Sequence, residues 1–300
     1  MPSRYCYLEK FLIDHDYPCD SREALLNAYS TVVDTDEANR IFEQAVTLYE
    51  SDLYFDYNGW LKTVTHAAEI CRLDERAVKF IFVLCLSEHM KVLYERRGLS
   101  EELFDTAMLD FRSKLDECYD VHGVWGTACA DWFGRFFALT RFALGRLQFE
   151  INAVPSDITA NGRTLHTGDY AVSIHIPSVG PLRPDDCRES FIRANKFFAP
   201  AFSDGVVPFR CGSWLLSPEH RHMLKPDSNI LKFMDFFTVT PHEKTVEGDL
   251  WRIFGRPDCS DISKLPRDNS LRRAYIAEIE SGNMPHLGVG LFFMKNGDFL

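Results

Sequence analysis

Apolar residues recur every three to four positions up to about residue 140, and every second position soon after it. A helix buries one face with the first period and a strand with the second. No single packed layer serves both patterns, so the chain divides into a helical domain, 1–142, and an α/β domain, 143–300. Its 300 residues agree with two domains at roughly 100–200 residues each.

In the first part "SREALLNAYSTVV" begins at Ser21, an expected N-cap, with Ala24, Leu25, Ala28 and Val32 on one face. "DEANRIFEQAVTLYE" repeats the period through Ile41, Ala45 and Leu48. Asp74 caps a helix that stops at Gly98, and Ser100 caps one with Leu103, Ala107, Phe111 and Leu115 in line. "TACADWFGRFFALTRFALG" is read as an aromatic core helix against the second part. The most apolar window, "AVKFIFVLCL", is too short to span a bilayer and is expected to be a buried helix.

The second part reads as strand and helix in turn. "RLQFEINAV" alternates, and Asn161-Gly162 marks a turn between strand-like segments. The strand "YAVSIHI" feeds the loop "PSVGPLRPDD" and then a helix over 184–198. "VPFRCGSWLL" is a strand, and "SPEHRHML" opens a helix with Ser217 as N-cap and Pro218 behind it. "SNILKFMDFF", "FTVTPHE", "DNSLRRAYIAEIESG" and "HLGVGLFFM" follow as helix, strand, helix ending at Gly282, and strand. The fold class is therefore a two-domain α+β protein whose second domain carries a mixed, mostly antiparallel sheet.

With 44 acidic against 33 basic side chains and a net charge of −11, the chain lacks the basic face that nucleic acid requires. No apolar leader opens the sequence, and no membrane partner is expected. The nine cysteines include no CxxC pair, which points to reduced thiols, a cytoplasmic setting and no thiolate-held metal.

The strand–loop–helix over 170–198 is the candidate ligand site. A helix N-terminus offers N–H groups and a positive dipole end to an anion. Gly180 permits close approach and Arg183 adds charge, whereas Asp185 and Asp186 are ordinary first-turn carboxylates; anion cradle and plain turn both remain open. His175 shares a strand face with Ser173 and is either a general base or a hydrogen-bonded structural histidine. Glu150 orients it or acts as base if the two strands are neighbours, and is otherwise an edge charge. Cys211 with His175 makes a nucleophilic pair, against the reading of Cys211 as a small core residue. Gly212 inside a strand signals a bulge or a close approach by a ligand. Ser228 and Asn229 are capping residues first and ligand contacts second; His220 and His222 point apart; "GVG" over 288–290 lacks the helix of a dinucleotide fingerprint.

The ordered set "LGRLQFE", "SIHIPSVGPL", "CRESFIRANKFF", "FRCGSWLLSPE", "SNILKFMDFFTV", "LPRDNSLRRAYIAEIESG" and "HLGVGLFF" resembles the C-terminal domain of bacterial acyltransferase-like proteins of the GNAT (N-acetyltransferase) superfamily. The helical first part is similar to the N-terminal domain that accompanies it. The resemblance covers most of residues 143–294 and implies a GNAT-like fold with acetyl-CoA or another acyl-CoA as co-substrate and no metal. In that superfamily a strand splays from its neighbour, pantetheine enters the gap, and the next loop and helix N-terminus hold the diphosphate. Here this implies Ile176, Ser178, Val179, Gly180, Leu182 and Arg183, with Ser228 and Asn229 nearby. It also implies direct attack of a small-molecule or peptide amine on the thioester, with His175 or Glu150 as base. Segment 217–237 has no Tyr, so Ser213 or Ser228 stands in as the acid. The competing expectation is a GNAT-like binding protein without catalysis.

Overall fold

A computed structural model describes residues 2–51 and 55–300, and it separates into two compact units that meet in sequence between Phe142 and Ala143.

The first unit consists of helices α1 (Pro2–Asp14), α2 (Cys19–Asp34), α3 (Asp36–Glu50), α4 (Tyr57–Cys71), α5 (Glu75–Arg96) and α6 (Glu101–His122), followed by the single turn α7 (Gly134–Phe137). The capping pattern sets several boundaries: Asp74 accepts from the Arg76 N–H, Ser100 accepts from the Leu103 N–H, and Gly123 ends α6 in the left-handed region. The apolar window lies in α5, where every residue from Phe80 to Leu86 is buried. Helix α5 packs against α1–α4 and α6, so a helix that is apolar all round becomes the centre of the bundle.

Two expectations for this unit are corrected. Ser21 is not an N-cap. Pro18 sets the entry to α2, which begins at Cys19, and the Ser21 hydroxyl is buried and donates to the Pro18 carbonyl. The segment 127–145 is not a long helix. It forms a 3-10 turn over Ala130–Phe133, then α7, and then breaks at Leu139, whose φ of 53° no helix continues. Its aromatics pack within the first unit, Phe133 on Phe111 and Phe137 on Tyr49.

The second unit is built on a seven-stranded mixed sheet. Its strands are β1 (Arg141–Leu144), which begins before the boundary, β2 (Leu147–Ala153), then the separate hairpin β3 (Ile158–Ala160) and β4 (Arg163–Leu165), and β5 (Tyr170–His175). Helix α8 (Pro184–Phe198) leads to β6 (Val207–Ser213). The short helices α9 (His220–Met223) and α10 (Asn229–Met234) precede β7 (Thr238–Thr245). Helices α11 (Leu250–Phe254) and α12 (Ser270–Glu280), then β8 (His286–Lys295) and β9 (Asp298–Phe299), complete the chain. The order is β1-β2-β5-β6-β8-β7, with β9 on β8. Strands β5 and β6 run parallel, joined by the α8 crossover, and the β2–β5, β6–β8, β7–β8 and β8–β9 pairs are antiparallel. The mixed, mostly antiparallel sheet expected from the sequence is present.

One face of this sheet is a core of rings. Phe149, Phe209 and Phe292 pack on Phe191 of α8, and Phe233 of α10 and Phe237 join them. The opposite face is apolar at one end, where Ala171, Leu291 and Phe293 meet Ile158 and Ala160 of the hairpin. The remainder of that face is polar. Glycines 288 and 290 serve packing: a Cβ at Gly288 would lie 1.8 Å from the Leu216 carbonyl oxygen, and one at Gly290 would strike the Phe237 ring.

Ser217 is likewise not a cap. Residues 218–219 form a turn, α9 starts at His220 after Glu219, and the Ser217 hydroxyl donates to Glu219. His220 and His222 have separate partners, Tyr275 at 2.7 Å and Glu278 at 3.2 Å. His220 is fully buried, and burial pushes it down to about 4 from the ordinary 6.5. Between those two values the unfolded chain holds a proton that the folded chain does not. Stability therefore falls as the solution is acidified through that window, by about 3 kcal/mol. His220→Gln keeps a partner for the Tyr275 hydroxyl without titrating, and its denaturant midpoint is expected to lose that part of the pH slope. An unaltered slope would remove His220 as the cause.

Candidate functional site

Strands β2 and β5 pair with Gln148 opposite His175 and Glu150 opposite Ser173. Directly opposite residues share a face, so all four side chains project from the polar side of the sheet. His175 Nε2 lies 2.7 Å from Glu150 Oε1. Glu150 is 4% exposed, so it is not an edge charge, while the His175 side chain keeps 23% exposure. A carboxylate accepts only, so Nε2–H is the donor, and the imidazole lone pair resides on Nδ1. The buried carboxylate thus sets both the tautomer and the direction of a ring that reaches solvent. His175 ends β5 rather than lying in mid-strand.

The β5–β6 ladder is short. Val172 pairs with Phe209 and Ser173 with Arg210, and there the register ends. Beyond it β6 continues to Ser213 but pairs on its other side, with β8. Past that pair no register partner joins Ile174–His175 to residues 211–213, which leaves an opening in the ladder beside the histidine. Gly212 lies on this opening. The β6–β8 register runs through it without a bulge, and a Cβ built there meets no atom within 4 Å.

The β6 pleat separates the other candidates from the histidine. Arg210 pairs with Ser173 and shares its face, so Cys211 projects to the opposite side, into the core with Phe209. Burial pushes the Cys211 thiol up to about 12. The nucleophilic pair is thus overturned: Cys211 is a buried thiol on the wrong face. Ser213 follows the same alternation, and its hydroxyl accepts from the Leu215 N–H. Ser228 caps α10 by accepting from the Ile230 N–H, and Asn229 is the first residue of that helix. Among the described residues no group of three His, Cys, Asp or Glu side chains is arranged to hold a metal ion.

The loop after β5 is organised by a residue that sequence reasoning missed. Arg146, just after the Gly145 turn, donates to three loop carbonyls: Pro177 at 2.8 Å, Gly180 at 2.8 Å and Pro181 at 3.1 Å. Burial lowers its pKa, and among the described residues no carboxylate forms an ion pair with it. With the carbonyls drawn to Arg146, the N–H groups of Val179, Gly180 and Leu182 have no acceptor among the described residues. Gly180 supplies the left-handed φ of 90° that the turn needs. Helix α8 begins directly after Arg183, with Pro184 at its first position and no side-chain cap. Loop and helix together leave a run of unsatisfied donors over a half-buried guanidinium, which suits an anion. The signal for Arg146 was present in "GRLQFE", but only the fold brings it under residues 177–181.

Comparison with known proteins gives two matches to family models. Residues 141–292 match a GNAT-like C-terminal domain, and residues 7–139 match an N-acyltransferase N-terminal domain. No curated protein matches the chain. Among solved structures, an acyltransferase in complex with decanoyl-CoA superposes with a TM-score of 0.72 at 21% identity, covering 94% of this chain and 86% of that one. An acyltransferase in complex with decanoyl-CoA and teicoplanin gives 0.70 at 23% identity, with the same coverage. An acyltransferase in complex with CoA and 10C-teicoplanin gives 0.71 at 22% identity, again over 94% and 86% of the two chains. At these identities the likeness is one of fold.

Proposed function

Because the chain belongs to the family that joins an N-acyltransferase N-terminal domain to a GNAT-like C-terminal domain, we propose that it transfers an acyl group from acyl-CoA to an amine. The observation that carries this reading is the opening of the β5–β6 ladder beside the His175–Glu150 pair. Pantetheine lies along that opening, where amide groups pair with unmatched strand edges as another strand would. The diphosphate sits on the N–H groups of Val179, Gly180 and Leu182, with Arg146 behind them. Ile176, Ser178 and Arg183 belong to the same strand end and loop and are assigned to this path, and Ser228 and Asn229 at the start of α10 are assigned as further contacts.

An ammonium group cannot attack a thioester. His175 Nδ1 takes its proton, and Glu150 stabilises the imidazolium that results. The amine nitrogen then bonds to the thioester carbon, and backbone N–H groups on the opening hold the oxyanion. As that intermediate collapses the C–S bond breaks. A thiolate, with an ordinary thiol pKa of about 8.5, leaves without a strong acid. The reaction therefore does not need Ser213, which faces away, and the proton held by His175 goes to the departing sulfur or to solvent.

The donors range from acetyl-CoA to the decanoyl-CoA found with a structural neighbour, and the acceptor is a small molecule or peptide, as teicoplanin bound to a neighbour supports. The nine cysteines form no disulfide, which is compatible with a reducing, cytoplasmic setting; the bacterial source is what the family resemblance implies. The test is ligand-dependent stability. CoA is expected to raise the melting temperature by an amount that grows with its concentration, about 2.7 kcal/mol of stabilisation at a hundred times its dissociation constant. No shift at millimolar CoA would sink the reading. Arg146→Met removes the three loop hydrogen bonds and is expected to weaken CoA about tenfold while the protein remains folded. Unchanged CoA affinity would show that the diphosphate lies elsewhere.

A further inference from the structure

Two polar groups on the His175 face remain without partners. Gln148 is 1% exposed, and its Oε1 meets no hydrogen-bond donor among the described residues. Arg210 is partly buried, and among the described residues no hydrogen bond or ion pair engages its guanidinium. Burial alone holds its pKa below the usual arginine value, offset in part by the Cys211 beside it. A stranded acceptor and a stranded cation both cost stability, and nothing in the packing of the sheet repays them.

Their positions are complementary. Gln148 stands opposite His175 on β2, and Arg210 stands opposite Ser173 on β6, so they flank the histidine on the same face. At the usual strand spacing and rise, with two residues of offset along the strands, their backbones are about 12 Å apart, and two long side chains shorten the distance between the functional groups. One end of this space asks for an N–H donor next to a general base. The other asks for an anion that a guanidinium can grip with two parallel hydrogen bonds.

We propose that the acceptor is an amino acid or peptide whose reacting amine donates to Gln148 Oε1 while its carboxylate is held by Arg210. The assignment rests on the acyl-transfer reading and adds the substrate class to it. Gln148 positions the nitrogen lone pair toward the thioester once His175 has taken the proton. Arg210 selects acceptors by charge and plays no part in holding CoA.

The experiment compares glycine, L-alanine, L-phenylalanine and glycylglycine with their carboxamides, by equilibrium binding to the full chain in the presence of CoA. Wild type is expected to bind at least one carboxylate about 10- to 100-fold more tightly than its carboxamide. Arg210→Gln should remove that preference while CoA affinity stays at its wild-type value and the melting temperature does not fall, and Arg210→Lys should restore part of it. The proposal is overturned if no carboxylate is preferred in wild type, if the preference survives in Arg210→Gln, or if that variant loses CoA instead. Absence of CoA binding in wild type would defeat the acyl-transfer reading, and the carboxylate comparison, repeated without CoA, would still decide the role of Arg210.

Discussion

His175→Ala is expected to slow acyl transfer, measured as CoA release with an amine acceptor, by about 10²- to 10⁴-fold, the usual contribution of a positioned general base. CoA affinity is expected to stay unchanged, because the bonds proposed for CoA come from the loop over residues 178–183 and the strand edges, not from the imidazole. Glu150→Gln keeps a side chain of the same shape within reach of Nε2 but removes the charge that stabilises the imidazolium. It is expected to show a smaller loss than His175→Ala, and the double variant no more than the His175 change alone, since both act through one ring. Raising the pH should rescue part of the His175→Ala rate by delivering the amine already neutral. Wild-type turnover in His175→Ala would end the general-base assignment, whereas no turnover in the wild type itself would favour a GNAT-like binding protein.

Gly212→Val has the second large effect, in a variant that should fold as well as wild type. The position lies in a regular part of the β6–β8 ladder, its φ is not in the left-handed region, and a Cβ there meets nothing within 4 Å. Valine suits a strand better than glycine, so stability is expected to be equal to wild type or higher, by up to about 1 kcal/mol. Its branched side chain nevertheless fills the opening between β5 and β6, and the CoA-dependent thermal shift should vanish. Gly290→Val is the contrast: its Cβ would strike the Phe237 ring, and loss of fold rather than loss of ligand is expected. A Gly212→Val protein that binds CoA as wild type does would show that pantetheine does not pass that residue.

Much of the local structure is legible without coordinates. Asp74 and Ser100 start their helices as read, Asn161-Gly162 turns the β3–β4 hairpin, and the helix over 184–198 runs as expected. Ser21 and Ser217 have the right residue type for a cap, but Ser21 lies inside α2, and Ser217 has the non-helical backbone yet gives its hydroxyl to Glu219 rather than to a helix N–H. Residues 127–145 have helical composition, and a left-handed residue at Leu139 stops them. The candidate site divides in the same way. His175, Glu150 and the Gly180 loop stand out by residue type and period. Cys211 stood out equally, and only the parallel register of β5 with β6 shows that it lies on the opposite face.

The order of apolar residues along the chain is a local property, and it determined two periodicities, most element positions and the residues with chemistry to offer. Strand neighbours, register and ladder length are long-range properties. They bring Glu150 within 2.7 Å of His175 across 25 positions of sequence, and Arg146 under a loop more than thirty residues away. The β5–β6 register ends after two pairs, and among the described residues Gln148 Oε1 meets no donor and no hydrogen bond or ion pair engages Arg210. Side-chain spacing within one segment carries no record of which strand will lie beside it, so only the tertiary structure decided the composition of the site.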